Sequence, residues 1–177
     1  RLLTGATANP ATVTVPYGGV TNATEVTFTN AVDYVQFKVC KRETSADANL
    51  AGVTFNFSDS YTTILSNGRT AADGQSFSLT IGTPTASNPT GEVCTGLSDP
   101  IPVVDPNGNP YPVKVTEGKT TTVGVESTVT VQGGTITSQT GGTANNPVLV
   151  SPAGTPNSVT FDPGPGIDVV TFTNGRT

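Results

Sequence analysis

Apolar and polar residues alternate along most of this chain. In the run from Tyr34 to Lys41, Val35, Phe37 and Val39 fall on one face and Tyr34, Gln36, Lys38 and Cys40 on the other. That is the two-residue period of a strand buried on one side. The same period returns at Val53 to Phe57, at Ser76 to Ile81, at Tyr111 to Glu117 and at Thr121 to Gln132, and in the closing pair Val159 to Phe161 and Val169 to Asn174. Turn-forming clusters such as Asn67-Gly68, Asp73-Gly74 and Asp105-Pro-Asn-Gly-Asn-Pro110 separate these runs. Roughly seven to nine short strands joined by such turns predict an all-β fold, an antiparallel β-sandwich of Ig-like or prealbumin-like type. The pattern further predicts that the Tyr34 strand pairs with Val53 to Phe57, and that the last two runs form a closing hairpin. Arg42 to Asn49 reads as a polar loop, and 58–75, 83–99 and 133–147 read as long loops.

One pentapeptide occurs twice. Val-Thr-Phe-Thr-Asn runs from Val26 to Asn30 and again from Val170 to Asn174, each time closing an alternating run that follows a Pro/Gly-rich turn. Repetition at this spacing marks a tandem array. Residues 1–30, two alternating runs around Pro16-Tyr-Gly-Gly-Val20, therefore read as an additional N-terminal β-hairpin equivalent to the closing strands of a preceding unit. Residues 31–177 read as one complete sandwich. Because an isolated hairpin is marginal in water, the first thirty residues are expected to add strands to a neighbouring repeat or a second copy.

Composition narrows the function. Charged residues are 12% of the chain, about half the usual ~25%. The net charge of −5, with eight scattered Lys and Arg, excludes a nucleic-acid surface, which needs clustered cations. No run approaches the ~18 apolar residues of a membrane span. Two cysteines, abundant Thr and Ser, and the sequons at Asn22-Ala-Thr24 and Asn56-Phe-Ser58 point to an extracellular or cell-surface setting, with Asn22 and Asn56 as glycosylation candidates. The lack of His rules out His-based catalysis, and no glycine pattern cradles a phosphate.

Three polar side chains end the inward phase of separate strands: Lys41, Glu117 and Asn174. A buried Lys or Glu is costly unless paired or neutral, so the three call for a joint explanation. If they converge, desolvation leaves a nucleophilic amine, Glu117 in its acid form polarises the Asn174 carbonyl, and attack expels ammonia to leave a Lys–Asn isopeptide bond. This is one self-crosslinking event without turnover. The alternative is that Lys41 and Glu117 flank strand ends in solvent.

The run Phe37-Lys-Val-Cys-Lys-Arg-Glu43, then Asn49-Leu-Ala-Gly-Val-Thr-Phe-Asn-Phe57, with Tyr111 to Glu117 and the closing Val170 to Asn174, resembles the Cna B-type (prealbumin-like) domain of Gram-positive surface proteins, in a disulfide-bearing variant. The resemblance covers about 31–177. It implies that Lys41, Glu117 and Asn174 form the crosslink. The Ala-Pro-x-Gly-Tyr motif usual after the family's Glu is replaced here by Gly118-Lys-Thr-Thr121.

Cys40 and Cys94 are expected to form one disulfide, worth roughly 4 kcal/mol in the chain-entropy model; the alternative is two free thiols. Asp105 to Pro110 is faintly like a calcium loop but lacks the later bidentate Glu and reads as a turn. No metal and no cofactor is expected. The expected function is structural and not enzymatic: a subunit or repeat of an extracellular filament or stalk, whose partners are copies of itself or adjacent repeats. The alternative is an adhesin that binds a host protein or glycan through its long loops.

Overall fold

The structure, a computed structural model, describes residues 33–118, 125–140, 148–149 and 157–176. The hairpin expected at 1–30, with Asn22, lies outside the described residues. Apart from one 3-10 turn, the regular secondary structure among the described residues is all strand: β1 (Tyr34–Glu43), β2 (Thr54–Ile64), β3 (Thr70–Asp73), β4 (Ser76–Thr80), β5 (Val93–Cys94), β6 (Ile101–Pro102), β7 (Val113–Glu117), β8 (Val125–Gln132), β9 (Thr135–Thr140), β10 (Val148–Leu149), β11 (Asn157–Asp162) and β12 (Gly166–Arg176). One sheet runs β10-β8-β12-β1-β5, with β6 also on β1; the other runs β3-β2-β7-β11-β9, with β4 also on β2. Two packed sheets make an all-β sandwich.

The inward rows meet between the sheets. Val35, Phe37 and Val39 of β1 and Val170 and Phe172 of β12 face Phe55 and Phe57 of β2, Val113 and Val115 of β7, and Val159 and Phe161 of β11, all buried. Ring contacts tie the layers, Phe37 to Phe161 at 6.2 Å and Phe57 to Phe172 at 5.3 Å, both edge-on.

Several expected pairings are corrected. β1 does not pair with β2, nor β11 with β12; each couple is split between the two sheets. Both members of each couple carry a full inward row, and two such rows bury each other better across the core than side by side in one sheet. Instead β1 and β12 run parallel, with Lys41 opposite Phe172 and Glu43 opposite Asn174, an exception to the expected antiparallel pairing. The loops are also shorter than read. β2 continues to Ile64 and turns back as β3, which consumes most of 58–75; β5 lies within 83–99, and β9 occupies 135–140. Residues 141–147 lie outside the described part. The polar loop expected from Arg42 begins later, since β1 extends through Glu43 before a 3-10 turn at Ala46–Ala48.

Candidate functional site

At one end of the sandwich the inward rows turn polar. Lys41 is the fourth inward residue of β1 after Val35, Phe37 and Val39, Glu117 the third of β7 after Val113 and Val115, and Asn174 follows Val170 and Phe172 on β12. Strand alternation alone therefore drives all three into the interior, and each is completely buried. The parallel β1–β12 pair places Lys41 and Asn174 on one sheet, while β7 brings Glu117 from the other.

They converge on one atom. Lys41 Nζ donates to Glu117 Oε1 at 2.9 Å, and Asn174 Nδ2 donates to the same oxygen at 2.9 Å. The ammonium also sits 4.1 Å from the centroid of the Phe55 ring. Burial pulls the Lys41 amine down from 10.5 to about 8, although the charge and hydrogen bond of Glu117 oppose that shift. Burial thus favours the neutral, nucleophilic amine over the ammonium relative to an exposed lysine. Asn174 Oδ1 is buried with no hydrogen-bond donor.

A nucleophilic amine and a carboxamide held by one carboxylate can react without an external reagent. In such a reaction Lys41 Nζ would attack Asn174 Cγ, forming the Nζ–Cγ bond as the Cγ–Nδ2 bond breaks. The proton leaving Nζ would pass by way of Glu117 to the departing nitrogen, which would leave as ammonia.

Sequence reasoning missed a fourth member. Glu43 lies two residues beyond Lys41 on the same inward row, completely buried and directly opposite Asn174 in register. Its Oε2 accepts the Leu50 N–H at 2.8 Å and so fixes the loop after β1, while its Oε1 has no donor. The signal was present, since the two-residue period needed only one further step past Lys41. Asn157, buried opposite Glu117 on β11, was missed in the same way. So was Asp168, at the other end of the β12 row.

The cysteines form the expected bridge. Cys40 and Cys94 are cross-strand partners of β1 and β5, joined on the outer face of β1 beside Lys41. Near them Arg42 reaches Glu92 at 3.8 Å, a half-exposed pair of little energetic weight. Asn56 is exposed on β2, where its Oδ1 accepts the Ser78 hydroxyl at 2.8 Å. The Asp105 segment is a closed turn: Asp105 Oδ1 accepts the N–H groups of Asn107 and Asn109, both at 2.8 Å, and these bonds hold the carboxyl below its ordinary range. Among the described residues, one group of three potential metal ligands gathers, Cys40, Glu92 and Cys94, and its two sulfurs are already spent in the disulfide.

No helix among the described residues is long and apolar enough to cross a membrane. No protein-family model, curated protein or solved structure matches the chain.

Proposed function

We propose that this chain is a structural module of an extracellular filament or cell-surface stalk, and that an internal Lys41–Asn174 isopeptide bond, formed with Glu117 as proton carrier, locks its sandwich. The observation that carries this reading is the convergence of a buried amine, carboxylate and carboxamide on one oxygen. A purely structural buried ion pair rarely stabilises more than apolar residues of similar volume would, so a reactive role gives the costly arrangement a reason. A crosslink between the paired strands β1 and β12 would stop them from sliding apart under tension. The Cys40–Cys94 bridge suits an oxidising compartment and braces the same strand from its outer face.

The resemblance to Cna B-type domains supports the same triad, and the repeated Val-Thr-Phe-Thr-Asn supports a tandem or strand-exchanging assembly with further copies. The test is proteolytic fragmentation with tandem mass spectrometry, plus negative-stain microscopy of the same sample. A fragment joining the Lys41 and Asn174 peptides, and ordered fibres, are expected. Unlinked peptides would defeat the crosslink, and dispersed monomers the filament.

The adhesin reading has one observation in its favour, a partly open cleft of about 240 Å³ at the end of β2, lined by Tyr61, Phe77, Asp59, Gln75, Leu97 and Ser98. Aromatic faces beside polar groups suit a sugar. Glycan-array binding that Tyr61→Ala abolishes would favour this reading over a purely mechanical role.

A further inference from the structure

We propose that Glu43 is a second working carboxyl group of the crosslinking centre, the acid that hydrogen-bonds to Asn174 Oδ1 and polarises its carbonyl, while Glu117 takes the proton of the attacking amine. The inference rests on the crosslinking reading above and divides its proton traffic between two residues.

The starting point is an unbalanced count of donors and acceptors. The Asn174 carboxamide has Glu117 on its nitrogen side at 2.9 Å, and Glu43 is its neighbour in the parallel register. Asn174 Oδ1 and Glu43 Oε1 are both buried acceptors, and neither has a donor. Leaving two such buried acceptors bare is costly, because neither recovers the hydrogen bonds it made to water. A single proton on Glu43 Oε1, shared with Asn174 Oδ1 across the register pair, would satisfy both, because a carboxylic acid donates where a carboxylate only accepts. A 180° turn of the carboxamide would put its oxygen toward Glu117 and its nitrogen toward Glu43, exchange the two roles and contradict the assignment.

The division of labour closes chemically. As Nζ bonds to Cγ, Glu117 takes a proton from Nζ and Glu43 gives its proton to Oδ1, so neither charge develops unopposed in a dry site. When the tetrahedral centre collapses, Oδ1 returns its proton to Glu43 and Nδ2 collects the one held by Glu117. The Cγ–Nδ2 bond breaks and ammonia departs. Both carboxyls end as they began, and no outside reagent is consumed. Among the described residues, besides Lys41 on its own strand and Glu117 from β7, no other ionisable side chain is shown in this centre; Arg42 and Glu92 lie on the outer side of β1, and Asp47 is exposed in the turn that follows.

Glu43→Gln is the probe, since the amide oxygen can still accept the Leu50 N–H but the side chain can no longer pass a proton. Full-length chain made by cell-free synthesis is followed by intact mass at a series of pH values. The expectation is crosslinking slowed by about 100-fold, with one ionisation lost from the pH–rate profile and the thermal midpoint of the folded, not yet linked chain little changed. Wild-type rate and profile in Glu43→Gln would overturn the proposal while leaving the crosslink itself standing. A wild-type chain that never loses ammonia would instead defeat the reading beneath it. Should Glu43→Gln fail to fold, neutron diffraction of the wild-type chain decides: a deuteron between Glu43 Oε1 and the side-chain carbonyl oxygen of residue 174 is expected, in the amide or the linked form. Its absence overturns the assignment.

Discussion

Strand β12 carries a polar residue at each end of its inward row, and the two ends solve the problem of burial differently. At one end Asn174 shares Glu117 with Lys41, so that charge meets charge and each group has a specific side-chain partner. At the other end Asp168 is equally buried but leans on backbone: its Oδ2 accepts the Gly164 N–H at 3.2 Å, its Oδ1 has no donor, and it packs against Gly133, whose φ of +100° suits glycine. Burial pushes the Asp168 carboxyl up, with only the Gly164 bond opposing. A pinned turn needs one acceptor and tolerates a neutral acid. A reaction needs a nucleophile, an electrophile and a proton carrier within reach of one another, and only the Asn174 end has them.

Breaking that end gives the largest effect. Glu117→Ala leaves the Lys41 ammonium buried without a counter-charge and removes the proton carrier. No crosslink forms, and stability falls by about 5 kcal/mol or more, read by denaturant unfolding. Retention of the crosslink in this variant would show that Glu117 is a spectator.

The opposite face of β1 sharpens the contrast. Replacing both Cys40 and Cys94 by Ser costs about 4 kcal/mol by the same measurement, in keeping with a bridge spanning 54 residues, but leaves crosslinking intact because those side chains point away from the centre. Loss of the crosslink along with the disulfide would mean that the two faces are not independent.

The pH response separates the two ends by sign. In Asn174→Ala, which cannot crosslink, the folded-state Lys41 value of about 8 lies below the ordinary 10.5. The folded state therefore holds that proton less tightly than the unfolded chain, and stability rises by about 2 kcal/mol between pH 8 and 10 as the amine sheds it. A flat profile would place Lys41 in solvent. Asp168 works in the other direction. Its raised folded value means its contribution is fully present below about 3.8 and is lost as pH climbs through the folded-state value. Asp168→Asn, which keeps an oxygen for Gly164, removes that loss and raises the thermal midpoint at neutral pH. A thermal midpoint that drops at pH 7 but holds at pH 4 would show that the charge at Asp168 is wanted.

Alternation carried the sequence reading a long way, and stopped where alternation says nothing. It assigned Val35, Phe37 and Val39, and with them Lys41, to the inner face, because phase is a local property of a strand. It could not say which strand lies beside which. β1 with β2, and β11 with β12, look like hairpins on paper because short links join them, and only the packing of two full inward rows against each other assigns them to opposite sheets. The parallel β1–β12 pair joins residues far apart in the chain, from Val35 with Gly166 to Glu43 with Asn174, and nothing local encodes it. Glu43, Asn157 and Asp168 were legible in phase but passed over, since each lies at a strand end where a charged or amide residue is expected to reach solvent. What buries them is the chain folded over those ends, as at Leu50, where the backbone N–H binds Glu43.

The most direct test of the central claim is the intact mass of the folded wild-type chain beside that of Glu117→Ala, both after complete disulfide reduction. A wild-type chain lighter than its sequence by the mass of one ammonia, beside a variant at full sequence mass, is the predicted result. Full sequence mass in both would contradict the account and leave Lys41, Glu117 and Asn174 as a buried ion pair with a neighbouring amide.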